Sequence, residues 1–594
     1  MWRLNNKITN ILAFILLLIM ALTAFLSMLH DSLTFDELAH IGAGYSYLVK
    51  HDYRLNPEHP PLSKDIIAFP LLFLNLHFPD QHPSWTQEEA APPWWSQFDF
   101  GRELLYRSGN NPRQIIIAAR SAMILFLLLL GWLLFFYSKK IGGNLIGLIA
   151  LTLFAFSPTL LAHGRFTNTD IGAAFGALIA TIGWLHFLKK PTWLNVFLAG
   201  LAFGLAMILK FSLILLIPFL AIITLIYAFL FAPEKRKIPK TVIVYLIKAF
   251  LIGLIGVVFI IWPVYQFHIQ NYPPDHQLRD TINDISGHPV PLARDLSLWL
   301  TKHESLRALG QYTRGLLMAS QRTAWGNTAV FCGEIAANSW LAYFPTLYLL
   351  KEPLALHLLT LIALIGACLS LWRAIRQRSC LTWLKNNFVI LACLIWLLVY
   401  WIGALSGNLN IGIRHLMPTF PFVYILVAFG LKEFFLIIKS IRYRRLAVLI
   451  VLLLFYWYIS SSLIAFPHYL SYYNELAGGT VNGYKIAVDS NYDWGQDFYR
   501  LLEFMKQNKI EKIYIDYFGG EDLDYWLKDR YILLKPKELK ELPHGWLAIS
   551  VNQLQGGLAK PVRGFDQPTG YYQWLENYQP VARAGYSIFI YYLD

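Results

Sequence analysis

Directly after the first long apolar run the chain reads Thr34-Phe35-Asp36-Glu37-Leu38-Ala39-His40. These residue types suit proton chemistry: a carboxylate can take a proton from an attacking hydroxyl or bind a cation, and an imidazole four positions on shares its helical face. Thr34 and Glu37 equally fit a capping box with Asp36 complementing the helix dipole, so a structural reading stands beside the chemical one. The run Asp52-Tyr53-Arg54-Leu55-Asn56-Pro57-Glu58-His59-Pro60-Pro61-Leu62 follows. Its three prolines fix φ and hold Arg54, Glu58 and His59 on a rigid loop, which suits a site wall or a surface turn. A third cluster, 157–170, packs His163, Arg165 and Asp170 into a short turn, with Asp170 opening the next apolar run. Such groups at a span's lip either snorkel or act in a site. Lys210, and then Arg414 and His415 behind Asn408 and Asn410, are cations of the kind that clamp a phosphate or anchor a membrane interface.

The elements that must position these residues are apolar. Of 594 residues 56% are hydrophobic and 15% charged, which excludes a disordered chain and an ordinary soluble multidomain protein. Stretches of bilayer length are expected at 8–29, 115–137, 143–161, 171–188, 194–209, 212–231, 241–264, 354–372, 387–405, 416–436 and 446–465, eleven in all. The first, preceded by Arg3 and Lys7, reads as an uncleaved anchor, since it is longer than a signal-peptide core and no small-residue cleavage site follows. Every second connection is basic: Lys139/Lys140, Lys189/Lys190, Lys235/Arg236/Lys237/Lys240, Arg373/Arg376/Arg378/Lys385 and Lys432/Lys439/Arg442/Arg444/Arg445. The positive-inside rule then puts the N-terminus in the cytoplasm and accounts for most of the formal charge of +13, so no nucleic-acid partner is expected. Cys332, Cys368, Cys380 and Cys393 make neither a disulfide framework nor a CxxC metal site.

That orientation leaves 30–114, 266–340 and the tail 467–594 on the outer face of the cytoplasmic membrane, where the chemistry is expected. The chain divides into a membrane domain, 1–466, and an outer α/β domain, 467–594. Strand patterns in the tail fall at 484–488, 513–517, 546–551 and 587–592, with an amphipathic run near 496–507. No glycine-rich phosphate loop occurs, so a nucleotide-driven pump finds no support.

Taken together the motifs resemble the polyprenyl-phosphate-dependent glycosyltransferases of the GT-C superfamily, family 39, which includes protein O-mannosyltransferases and lipid A aminoarabinose transferases. The resemblance covers nearly the whole chain. It rests on Phe35-Asp36-Glu37 with His40, on the 54–62 loop, and on Asn410-Ile411-Gly412-Ile413-Arg414-His415-Leu416-Met417-Pro418. Further matches are Tyr343-Phe344-Pro345, His468 to Leu476, Val488 to Asp497, and Lys351-Glu352-Pro353, where the family branch more often has Lys-Thr-Pro. The resemblance implies a GT-C fold and inverting transfer of a sugar from an outer-leaflet polyprenyl phosphate to a hydroxyl of a protein, lipid or glycan. Asp36 is then the base, Glu37 its acidic neighbour and Asp170 the second acidic residue. Lys210, Arg165 and Arg414 would stabilise the leaving phosphate, and His40, Arg54, Glu58, His59, His163 and His415 complete the expected substrate contacts. Some members hold a divalent cation, Mg or Mn, for which Asp36, Asp170 and His163 are the candidate ligands.

Two rival classes fit the sequence less well. A flippase for a lipid-linked saccharide should carry ionisable groups in mid-span, whereas these cluster at outer lips and loops. A noncatalytic scaffold recruiting partners through the tail has no need of an acidic site in the membrane surface.

Overall fold

The structure, a computed structural model, describes residues 5–594 apart from 87–93, 233, 235, 236 and 540. Arg3, Lys235 and Arg236 of the basic segments therefore lie outside the described residues. Among those described, nine helices are long and apolar enough to cross a membrane: Asn6–Met28, Pro112–Gly142, Asp170–Lys189, Phe211–Phe231, Ile238–His268, Leu354–Arg376, Phe388–Ser406, Ile413–Ile437 and Ile441–Ala465. Their outward faces carry bare apolar side chains such as Phe14, Phe250 and Ile464, which is the surface a lipid solvent requires.

Two of the eleven expected spans are shorter than a bilayer. Asn144–Ala155 has 12 residues and Trp193–Met207 has 15, about 18 and 22 Å against a core of roughly 30 Å. The first stops before Pro158, which opens the separate turn Pro158–His163; the second stops before Lys210, whose ammonium is drawn onto Asp170. Both nevertheless carry the chain across the bundle. Lys140 meets His186 at one end, while Asp170 and Lys210 meet at the other.

That second end gathers all three long segments. The first contributes the helices Phe35–Lys50, Pro61–Ala68 and Ser96–Arg102, and the second the helices Pro274–Ile285, Pro291–Lys302 and Arg307–Trp325. The tail forms a five-stranded sheet in the order Tyr531–Leu533, Ile513–Asp516, Gly545–Ser550, Ile588–Leu593, Ala582–Ala584; the first three run parallel and the last two pair antiparallel. Residues 484–488 are not a strand of it. Gly483–Lys485 is a 3₁₀ turn, and beyond it Ala487 makes a single bridge to Phe331, so the chain turns there before any ladder can extend. A second, three-stranded sheet joins Ala329–Phe331 and Glu334–Ala336 of the middle segment to Lys560–Val562 of the tail. The tail is thus woven into the end of the bundle: one apolar cluster runs through both, and the tail keeps a second cluster of its own around Phe498, Leu501 and Ile590.

Buried ion pairs fix the junction. Arg120, on the helix Pro112–Gly142, donates to both oxygens of Glu37 at 2.9 and 2.6 Å and to the carbonyls of Asp31 and Ser32 at 2.8 and 2.7 Å. Asp31 accepts from Arg165 at 2.6 Å and pairs with Arg500 of the tail at 2.9 Å. Burial alone would raise the carboxyls of Glu37 and Asp31, but the adjoining guanidinium groups hold both below the usual carboxylate range. Removing one partner of such a pair leaves an uncompensated buried charge, at a cost of roughly 3 to 5 kcal/mol. Arg120→Ala is therefore expected to lower the thermal unfolding midpoint of the detergent-solubilised protein sharply at neutral pH, and a midpoint equal to wild type would show that Glu37 finds other compensation.

Candidate active site

The gathered end encloses a cavity of about 640 Å³, ample for a sugar phosphate and an acceptor group. Seven residues singled out by sequence line it: Asp36, His40, Glu58, His59, Lys210, Arg414 and His415. They come from four separate stretches of chain. The helix Phe35–Lys50 starts with the Thr34 amide donating to Glu37 Oε2 at 2.8 Å, so Asp36 and His40 share the face turned to the cavity. The loop 54–62 wraps around the buried ammonium of Lys64, which donates to the carbonyls of Asn56 and His59, to Asn56 Oδ1 and to Tyr47 Oη at 2.7 to 2.9 Å. A lysine with no carboxylate partner inside the loop pays for burial in proton affinity, and its pKa falls well below the usual lysine value.

Arg414 is the centre of the site. Its Nη2 donates to Asp36 Oδ2 at 3.0 Å, its Nη1 stands 3.6 Å from Asp170 Oδ2, and its Nε donates to Ser490 Oγ at 3.1 Å. Its guanidinium plane lies over the Trp494 ring, 4.3 Å from the centroid. The other oxygen of Asp170 takes the ammonium of Lys210. Gly412 lets this happen: a Cβ there would collide with the Ser490 hydroxyl that holds Arg414. Two carboxylates and two cations thus form one chain of charge at the cavity floor, in which each cation satisfies Asp170 and one of them also reaches Asp36.

The imidazoles stand neutral beside it. His40 Nδ1 donates to the Thr167 carbonyl at 2.8 Å, which leaves Nε2 as an acceptor. Burial lowers the pKa of His40, and lowers that of His59, 5.4 Å away ring to ring, well below the usual value. Glu58 is paired with Arg322 at 3.0 Å and accepts from Trp94 Nε1 at 3.1 Å.

Five of the expected site residues do not line the cavity: Asp170 meets it only through its two cations, Lys210 and Arg414, and the other four are engaged elsewhere. Glu37 is spent on Arg120 and on the Thr167 amide at 2.9 Å. Arg54 is clasped by Asp52 and stacks on Trp85 at 4.4 Å; Arg165 is spent on Asp31 and the Leu161 carbonyl. His163 packs edge-on to Trp494 at 6.0 Å, and neither of its ring nitrogens is hydrogen-bonded among the described residues. The proposed metal ligands do not assemble either. Arg414 stands between Asp36 and Asp170 where a cation would have to sit, and no three His, Cys, Asp or Glu side chains converge among the described residues. The donor set does not fit a divalent ion.

Sequence reasoning passed over Arg322, Tyr400, Trp494 and Asp489, all of which line the cavity. Asp489 and Trp494 lie in the Val488–Asp497 motif, but nothing in their local spacing tells that the tail folds back over the membrane domain. Asp489 sits at positive φ (55°), with its carboxylate accepting from the Ser490 amide. Burial pushes its carboxyl up to about 6, Asp36 adds to the rise and Arg414 opposes it. A carboxyl with folded pKa above its unfolded value contributes stability below the unfolded pKa and loses it as pH rises through the folded one. Asp489→Asn is therefore expected to gain thermal stability relative to wild type as pH rises from 4 to 7; a difference constant over that range would show Asp489 is not titrating there.

The chain is thus a multi-pass helical bundle with an acid- and cation-lined cavity recessed at one end. Within it, residues 112–262 match the family described as dolichyl-phosphate-mannose-protein mannosyltransferase, a stretch that holds both Asp170 and Lys210. The match covers about a quarter of the chain and supports glycosyltransferase activity. No curated protein sequence matches the chain. Among solved structures, ArnT from Cupriavidus metallidurans bound to undecaprenyl phosphate is 11% identical with 97% of each chain covered and a TM-score of 0.43. The oligosaccharyltransferase AglB from Archaeoglobus fulgidus, in complex with an inhibitory peptide and a dolichol-phosphate, is 14% identical with a TM-score of 0.40; the match covers 76% of this chain and 56% of AglB.

Proposed function

We propose that this protein transfers a sugar, with inversion, from a polyprenyl phosphate to an acceptor hydroxyl at the outer face of the cytoplasmic membrane. The observation that carries the reading is the guanidinium of Arg414 shared between Asp36 and Asp170, with Lys210 beside it in the cavity. A phosphate monoester or diester anion is a natural competitor for both cations. When the donor phosphate engages Arg414 and Lys210, the ion pair to Asp36 loosens and the Asp36 carboxylate becomes a competent base. The acceptor oxygen then attacks the anomeric carbon, Asp36 takes its proton, and the bond from that carbon to the phosphate oxygen breaks with its electron pair going to the phosphate. The two cations stabilise the charge that develops there, while Asp170 keeps them in place. Neutral His40 and His59 can bond the sugar without adding charge. The relatives' names point the same way: ArnT was seen with undecaprenyl phosphate and AglB with a dolichol-phosphate.

Asp36→Asn keeps the helix start but cannot accept a proton, and loss of a general base costs 10²- to 10⁴-fold in rate. With a synthetic polyprenyl-phosphate sugar donor, Asp36→Asn is expected to bind donor and fail in turnover, whereas Lys210→Ala and Arg414→Ala are expected to raise the donor KM. Near-normal turnover by Asp36→Asn would return it to a capping role.

The sidedness has its own test in Cys332, which is exposed on the hairpin at the gathered end. With the other three cysteines changed to Ala, a membrane-impermeant maleimide is expected to label Cys332 in right-side-out vesicles; labelling confined to inverted vesicles would reverse the orientation.

A further inference from the structure

By chemistry the cavity lining has an aliphatic half, which includes Ile214, Leu215, Leu316 and Ala404. The other is aromatic and acidic. There Phe35, next in sequence to Asp36, stacks on Phe518 at 5.3 Å and 14° and meets the edge of Trp95 at 6.4 Å. Trp95 is 57% exposed and Trp94, 5.0 Å from it, is 40% exposed, so both present indole surface that no other described residue covers. Trp94 is held in place through its Nε1 by Glu58, which Arg322 fixes in turn. Across the same cavity Asp489 presents a carboxylate with no hydrogen-bonded cation among the described residues, unlike Asp36 and Glu58, yet it stands close enough to Arg322, Arg414 and Asp36 for their charges to act on it.

From this division we infer that the acceptor is a saccharide, whose ring stacks on Trp95 and whose hydroxyls are received by Asp489. This rests on the transferase reading. A pyranose has a face of C–H groups, attracted to the negative face of an indole, and a rim of hydroxyl donors suited to a free carboxylate acceptor. The aliphatic half suits the prenyl chain of the donor and offers a sugar nothing. A peptide acceptor is recognised through backbone partners along an extended edge or a groove for side chains, and the groups here are ring faces and carboxylates. Stacking on Trp95, beside Phe35, brings an acceptor hydroxyl next to Asp36, so the attacking oxygen and its base share one wall.

The full-length protein in nanodiscs is examined by saturation-transfer NMR with cellobiose and methyl β-glucoside, and in parallel with a Ser/Thr-rich peptide. Citronellyl phosphate binding, read by phosphorus NMR, serves as the control for the donor cations. Wild type is expected to saturate the glycoside ring protons. Trp95→Ala and Asp489→Asn are each expected to weaken glycoside binding about tenfold or more, about 1.4 kcal/mol, Trp95→Phe to recover most of it, and Trp95→Ala to bind citronellyl phosphate as wild type does. Glycosides that fail to bind while citronellyl phosphate binds overturn the inference and leave the transferase reading standing. So does a peptide that binds in a Trp95-dependent way without any glycoside signal. Failure of citronellyl phosphate itself sinks the transferase reading.

Discussion

A guanidinium cannot be carried into the end of a lipid-facing bundle without carboxylates to meet it, and much of the site follows from how Arg414 is met. Desolvation of an isolated charge costs far more than the rest of the fold can offset. Here the cost is spread: Asp36 and Asp170 share the charge, Trp494 lies under its plane and Ser490 takes the remaining donor. Lys210 then balances the second oxygen of Asp170. The consequence is a set of cations poised but not saturated, since each guanidinium and ammonium contact to an acid can be exchanged for a contact to a phosphate of the same sign. A site held by mutual compensation of this kind is set up to respond to an incoming anion.

The same logic explains the tail. Ser490 and Trp494 come from it, and Asp489 beside them brings a further carboxylate to the cavity. Its docking is secured by Arg500 on Asp31, by Glu521 accepting from the Leu33 amide at 2.7 Å and from Tyr106 at 2.8 Å, and by the shared three-stranded sheet. Lys351, of the Lys351-Glu352-Pro353 match, donates to the Leu470 and Asn491 carbonyls at 2.7 and 2.6 Å, with Glu352 held by Thr159. Away from water the pair approaches neutrality, Lys351 falling to about 7 and Glu352 rising to about 8. Lys351 and Glu352 are therefore structural ties between the tail and the bundle, whereas the 488–497 motif also sends Asp489 and Trp494 to the cavity.

Several features were legible in the sequence because they follow from local physics. Long apolar runs can only be helices in lipid, so the nine long helices fall where hydropathy places them. A capping pattern starts the helix at Phe35, and the strands near 513, 546 and 588 follow from alternation. Asp36, His40, Lys210, Arg414 and His415 were candidates because ionisable groups at the lips of spans are expensive to keep.

What local pattern could not carry was partnership. Glu37 looks like the twin of Asp36 in sequence, yet one turns to Arg120 and the other to the cavity, because a one-residue step on a helix rotates a side chain by about 100°. His163 and Arg165 lie close to Asp170 in sequence, yet Arg165 turns to Asp31 and His163 packs on Trp494. The crossing at 144–155 ends ahead of the separate turn that Pro158 opens, and the one at 193–207 ends ahead of Lys210, which meets Asp170 40 residues away in sequence. Asp489, Trp94, Trp95 and Arg322 enter the site only through folding of distant segments onto one end of the bundle. Composition and periodicity determined that this chain spans a membrane and where its reactive residue types lie; only the tertiary structure decided which charges are spent on each other and which are left for a substrate, since that depends on three-dimensional compensation of buried charge.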